Sequence, residues 1–394
     1  MKQTQPLKSA RKKLTFFHNA SKPYKALRSH LDRQPVGFPR TLTGTEIRLL
    51  KKFFTIEEAR VALCLDFRGQ TFSALSAKAK EMGFTDETLL KNLLLSMEKK
   101  GSIFVRQNGS GFTYALHPFV IGMFEMHLSK MDASFFLDTH QYMLERLIIE
   151  YLSTEVPQMR VVPIHESITA AQNVATYDQI REIVDKAGDR IAITNCICRT
   201  GRDMIGDPCK LTKRREVCMG FRDYADTYSR NGWGRLIDKT EALEILDRNE
   251  KEGLILLASG SREPLFVCSC CNCCCGILEM VSAMPRPVDF TAGNFYAELD
   301  ATACNGCGKC VKRCHLNAIT YDKKKIFPID LNRCIGCGVC VPTCKTGALR
   351  LKTKEPLFIP PADHDDLYET IMRNKRGLVG QLTRMSKAVM GIKI

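Results

Sequence analysis

The chain of 394 residues has no run of 18 apolar residues, so no segment is able to cross a bilayer as a helix. Met1–Lys13 lacks the apolar stretch that a signal peptide needs, which argues against secretion and for a cytoplasmic protein. Neither G-x-G-x-x-G nor a P-loop occurs, and with them goes support for a flavin, nicotinamide or ATP site. Acidic residues are scarce at both ends. Residues 1–40 carry ten Lys or Arg against Asp32 alone, and residues 370–394 carry six against none. The two ends account for the whole formal net charge of +15, because residues 41–369 hold 42 basic and 42 acidic side chains. The charge is therefore not the signature of a nucleic-acid-binding body. It gives the chain two basic tails that can meet an anionic surface or partner.

Cysteine, by contrast, is abundant at 19 residues. In a reducing compartment such thiols read as metal ligands rather than disulfides. Eight of them repeat one pattern, C-x2-C-x2-C-x3-C, as Cys304, Cys307, Cys310, Cys314 and then Cys334, Cys337, Cys340, Cys344. A tight loop with cysteines three residues apart can wrap three thiolates around one [4Fe-4S] cluster, while the fourth must come from elsewhere. Paired C-x2-C zinc sites would need neither the third cysteine at the same step nor the duplicated fourth. Haem attachment is excluded as well, since Cys310 stands one residue too far from Cys314-His315 for C-x-x-C-H.

On these residues the segment from about Asn294 to Lys354 resembles the bacterial-type two-cluster ferredoxin domain. The halves repeat at a spacing of 30: Asp300 matches Asp330, Gly308 matches Gly338, and Ala318-Ile319 matches Ala348-Leu349. The resemblance implies that the last cysteine of each run crosses to the other cluster. Cys304, Cys307, Cys310 and Cys344 would then hold cluster 1, and Cys334, Cys337, Cys340 and Cys314 cluster 2. The family places proline after the fourth cysteine, where this chain has His315 and Lys345. Residues 300–352 carry ten basic side chains, Lys309, Lys312 and Arg313 among them, against three acidic ones, a surface suited to an acidic redox partner.

Ten further thiols precede this segment. Cys196-Ile197-Cys198 is a C-x-C pair, and on a strand its two sulfurs would share a face. Cys209 and Cys218 complete a candidate third site of four. A dense run then supplies Cys268, Cys270, Cys271, Cys273, Cys274 and Cys275, either supplementing that site or forming another. Cys274-Cys275-Gly276 is similar to the CCG motif of heterodisulfide-reductase subunits, without its flanking cysteines or second copy. The ion can be a third iron-sulfur cluster or Zn2+, and redox-active thiols are the remaining alternative. Arg199 beside the C-x-C pair is placed to stabilise thiolate charge, or is an ordinary surface arginine. Cys64 reads as a core residue.

The pattern predicts an α+β multidomain chain. Residues 1–42 read as a basic flexible arm. Residues 43–155 form a helical domain with one helix over Thr43 to about Asp66, others near Phe72–Met82 and from Asp86 to Gly101, and a hairpin of Ile103–Arg106 with Phe112–Leu116. Over about 44–118 this order resembles a winged helix-turn-helix. Its third helix offers mainly Lys91 and Asn92 to bases, with Asp86 and Glu87 at the near end, so protein docking is favoured over DNA binding. Residues 119–155 are expected to continue as helix. Residues 156–290 form a cysteine-rich α+β metal-binding domain, with strands at Val161–Ile164, Ile191–Ile197 and Leu254–Ala258 and helices at Tyr177–Lys186 and Glu241–Glu252. Residues 291–354 form the ferredoxin-like domain. In the tail, 355–394, residues 371–392 read as a basic amphipathic helix carrying Leu378, Leu382, Met385 and Val389, for an anionic membrane surface or a partner.

Together these features point to an electron-transfer protein of anaerobic metabolism, or the electron-supplying subunit of an oxidoreductase, with no catalytic residues of its own. A redox-responsive DNA-binding regulator and a thiol/disulfide-active iron-sulfur oxidoreductase are the alternatives.

Overall fold

The computed structural model describes residues 21–109, 111–168, 174–322, 325–326 and 328–394. It is a mixed α+β structure of two compact units, one of residues up to 130 with 134–146, the other of 131–133 with 147–394.

In the first unit residues 21–32 are helical, where a flexible arm was expected. Tyr24, Leu27 and Leu31 recur at helical steps and are buried, and the Tyr24 hydroxyl donates to the Phe54 carbonyl. Phe38, between Pro35 and Pro39, packs its ring 4.6 Å from that of Tyr142. The remainder of the expected arm, 1–20, lies outside the described residues. The helix anticipated from Thr43 to Asp66 is two helices, Thr45–Phe53 and Ile56–Ala62, because Thr55 and Glu58 form a reciprocal capping box that restarts the chain. Helices Phe72–Glu81 and Glu87–Lys99 begin at Thr71 and Asp86, whose side chains accept from backbone N–H groups of their first turns. Strands β1 (Gln70–Thr71), β2 (Ile103–Asn108) and β3 (Gly111–Leu116) form an antiparallel sheet in the order β1-β3-β2. Beyond it the expected continuous helix is interrupted by extended backbone at Val120–Gly122 and resumes only at Ala133–Tyr142.

The second unit is organised by a six-stranded antiparallel sheet. Its strands are β4 (Met159–Val162), β5 (Ile191–Asn195), β6 (Glu216–Phe221), β7 (Gly234–Leu236), β8 (Ile255–Ser259) and β9 (Phe266–Cys270), in the order β4-β8-β9-β6-β5-β7. Strand β5 stops before the C-x-C pair: Cys196 is the N-cap of helix Ile197–Met204 and Cys198 lies in its first turn. The two thiols are therefore not alternate residues of one strand, as the spacing had implied. Helix Asp223–Asn231 packs closely on this sheet. A Cβ at Gly220 would come within 2.6 Å of the Tyr228 ring, so only glycine admits that approach. On β4 the buried Arg160 pairs with Asp178 at 2.9 Å, and Asn294 donates to the other Asp178 oxygen. Burial raises the Asp178 carboxyl and lowers the Arg160 guanidinium, so desolvation outweighs their attraction.

Strands β10 (Phe295–Leu299) and β13 (Leu349–Thr353) pair antiparallel and bracket the eight-cysteine segment, with β11 (Tyr321–Asp322) and β12 (Lys325–Ile326) as a small hairpin inside it. Lys323 and Lys324 lie outside the described residues. The single helix expected over 371–392 is two, His364–Arg373 and Leu378–Val389, with Gly377 starting the second. Its inward face is not the expected apolar stripe: Arg384 and Ala388 are buried, Arg384 meeting Glu155 at 3.0 Å, whereas Leu382 and Val389 are each 68% exposed. Pairing a buried arginine took precedence over burying that stripe. Among the described residues no helix is long and apolar enough to cross a membrane.

Candidate metal centre

The eight-cysteine segment is built as two matching loops. Asp300 accepts from the N–H groups of Thr302 and Ala303, and Asp330 from that of Asn332, so each loop opens with the same side-chain-to-backbone turn. Gly336 permits the second loop to close: its φ is +72°, and a Cβ there would lie 2.1 Å from the Phe295 carbonyl oxygen. The fold places Cys314 beside Cys334, Cys337 and Cys340, and these four thiols line one small cavity with Ala297, Ile319 and Ile335. Cys310 has Cys307 and Cys344 as neighbours. Backbone N–H groups point at sulfur in both loops, from Gly306 to Cys304 at 3.4 Å, from Ala297 to Cys334 at 3.3 Å and from Ala318 to Cys314 at 3.3 Å. Such donors stabilise cluster thiolates and tune their potential. The donor chemistry, the shared cavity and the N–H groups all fit an iron-sulfur cluster. The surroundings of the two sets differ. In the first set Cys307 is exposed, Cys304 and Cys344 half-buried and Cys310 buried; in the second Cys334 and Cys340 are buried and Cys314 and Cys337 half-buried, and burial pushes Cys337 up to about 12.

Cys196, Cys198, Cys209 and Cys218 pack into one cluster with Cys271, Cys273 and Cys274. Within it the nearest thiol neighbours of Cys196, Cys198 and Cys218 are one another and Cys268, Cys270 and Cys275. Cys196 neighbours Cys198 and Cys218, Cys218 neighbours Cys268, Cys268 neighbours Cys270, and Cys270 and Cys198 both neighbour Cys275, closing a ring of six. The sheet explains half of it. Cys268 and Cys270 are alternate residues of β9 and share a face. Met219 pairs with Val267 across β6 and β9, which puts Cys218 beside Cys268. Cys196 and Cys275 are both helix N-caps, and both thiols are held well below the usual range. The leading cause in each case is hydrogen bonding from neighbouring thiols, Cys198 with Cys218 and Cys198 with Cys270, and the N–H groups of Arg199 and Leu278 at the helix starts add to it.

Cys209 joins the dense run instead. Its sulfur lies 3.7 Å from that of Cys271 and 3.8 Å from that of Cys273, while Cys273 lies 3.4 Å from Cys271 and 3.7 Å from Cys274. All four sulfurs are within 4.8 Å of one another. Arg199 is fully buried, not a surface residue. It donates to the Ser269 carbonyl at 2.9 Å and to the Cys271 sulfur at 3.3 Å. A hydrogen bond from Cys274 and the Arg199 charge overcome burial to bring Cys271 down to about 5, while burial takes Cys273 up to about 11. Cys64 belongs to neither group: it is buried in the first unit with its sulfur 3.2 Å from that of Met82. A second C-x-C pair, Cys268-Ser269-Cys270, was the sequence signal for the ring, since two such pairs can face each other where two segments meet.

The eight-cysteine segment is fastened to this thiol domain by residues next to its ligands. His315 Nε2 meets the Gly253 carbonyl at 2.8 Å, leaving Nδ1 to accept from the Asn272 N–H at 3.4 Å, in the middle of the cysteine run. Arg313 donates to the carbonyls of Glu250 and Lys251, and Ile164 N–H to the Cys337 carbonyl at 3.2 Å. A proline after Cys314, as in ferredoxins, would make none of the His315 contacts. In comparison with known proteins, residues 303–348 match the family of 4Fe-4S dicluster domains. No curated protein and no solved structure matches the chain.

Proposed function

We propose that the protein is a modular iron-sulfur electron-transfer protein that serves an oxidoreductase partner in a reducing cytoplasm. The observation that carries this reading is the attachment of the dicluster segment to the thiol domain through His315 and Arg313, which fastens the loop of Cys314 to the turn between Cys271 and Cys273 and to the end of helix Lys239–Glu252. Cys304, Cys307, Cys310 and Cys344 hold one [4Fe-4S] cluster towards solvent, and Cys334, Cys337, Cys340 and Cys314 hold a second on the inner side. Such clusters supply one-electron transfer when bound. The ring of Cys196, Cys198, Cys218, Cys268, Cys270 and Cys275 offers more thiols than one ion can take, which favours a third, polynuclear iron-sulfur site. The exposed Cys307 loop, with Lys309 beside it, is the entry face for an acidic carrier.

The first unit acts as a winged-helix-like docking module. Helix Glu87–Lys99 exposes Leu89 and Leu95, and its Lys91 lies over the Phe72 ring at 4.9 Å, a face better suited to protein than to DNA bases. In the second unit the exposed Val379, Leu382 and Val389 of the last helix, with Lys387 between them, form a separate basic and apolar face for a partner. Anaerobic purification with iron and sulfide counts and EPR of the reduced protein tests the reading. Two interacting [4Fe-4S] signals plus additional iron are expected, and a protein that holds zinc alone would refute it.

A further inference from the structure

Two groups of cysteines within 150 residues differ in how far apart they hold their sulfurs, and that spacing is a property of the intended occupant. A single tetrahedral ion with metal–sulfur bonds of about 2.3 Å requires its four sulfurs to stand about 3.8 Å apart along every edge. The Cys209, Cys271, Cys273 and Cys274 sulfurs show separations of 3.7, 3.8, 3.4 and 3.7 Å along four of the six edges. A cubane holds its thiolates at separate corners and so further apart. Among the described residues neither dicluster quartet brings three sulfurs within 4.8 Å of one another, as this tetrad does with four. The tetrad's separations are those of a single tetrahedral ion.

We infer that Cys209, Cys271, Cys273 and Cys274 form a closed tetrathiolate site for a single Zn2+, separate from the clusters. Four thiolates leave no coordination position open, the arrangement of a structural zinc site, and zinc outranks ferrous iron for such ligands. The ion with its four thiolates carries a net charge of −2. The buried Arg199 supplies the partial compensation, one guanidinium nitrogen on Cys271 and another on the Ser269 carbonyl, while its Nε has no partner of its own. The site ties the loop carrying Cys209 to the turn after β9. That turn includes Asn272, whose N–H is bonded to His315, the residue after Cys314. The zinc thus fixes the surface on which the inner quartet rests.

The test uses full-length protein purified anaerobically. Metal analysis is expected to give one zinc per chain in addition to iron, and the zinc absorption edge to show four sulfurs at about 2.3 Å. Cys209→Ser should lower zinc at least tenfold while iron, sulfide and the EPR of the reduced clusters stay unchanged. Cys273→Ser, on the half-exposed side of the site, should do the same and guards against a variant that misfolds. Co2+ added to apoprotein should show the sulfur-to-metal absorption of a tetrathiolate, lost in both variants. A wild-type protein without zinc, with iron and sulfide falling together in Cys209→Ser, would overturn the inference in favour of a further cluster. Iron alone in the four-sulfur shell would overturn the choice of ion, and zinc surviving both substitutions would overturn the site. None of these outcomes touches the dicluster signals, so the electron-transfer reading stands or fails separately.

Discussion

The dicluster segment and the sheet domain beside it hold eight and ten thiols by opposite constructions. In the first, each loop carries three cysteines within seven residues, and the fold sets Cys314 of one loop beside those of the other, so the grouping is almost local. In the second, the thiols come from two helix caps, two strands and the turns beside them, up to 79 residues apart, from Cys196 to Cys275. A local site can form before the fold around it. An assembled site exists only when the sheet is in register, so metal affinity there is also folding free energy. The two should consequently respond differently to the same insult.

The largest effect belongs to metal removal. Chelation at low pH protonates all ten thiolates of the sheet domain and strips every metal they hold, ring and tetrad together, so it should unfold that domain cooperatively, seen as loss of its far-UV signal. A sheet that keeps its melting transition without metal would erase the contrast. Next, Cys334→Ser should remove about four irons and one of two EPR signals while the other quartet stays filled. Arg199→Gln, which leaves thiolate charge buried without its cation, should cost about 3 kcal/mol of stability in urea unfolding, and a smaller loss than an exposed arginine normally gives would show that the thiols are not charged. His315→Ala deletes two hydrogen bonds, about 2 kcal/mol in all, and should shift the potential of the inner cluster but not the outer one. Smallest of all, raising the salt concentration should slow reduction by an acidic carrier without altering either potential.

Those expectations separate what was legible in the residues from what was not. The dicluster domain was legible because its eight cysteines stand at fixed steps from one another. Helix Glu87–Lys99 was legible through Asp86, and helix Lys239–Glu252 through its apolar period. The partition of the ten thiols was not, since Cys209 reaches Cys271 only because β6 and β9 lie side by side, a fact of topology and not of spacing. The helix over residues 21–32 was not legible, because Lys22, Lys25 and Arg28 match in number the three apolar residues, Tyr24, Leu27 and Leu31, that decide its burial. The terminal helix was misjudged for a related reason: a pattern shows which residues are apolar, and Arg384 took the buried position by pairing with Glu155.

The pairing of β10 with β13 has a further consequence. Phe295 faces Thr353, so the chain enters and leaves the dicluster segment at neighbouring positions, one strand spacing of about 5 Å apart. A module whose two ends meet can be gained or lost in one genetic event without parting the strands that flank it. The segment is thus bounded by its own strand pair, and His315 is the side chain that ties this closed module to the domain beside it.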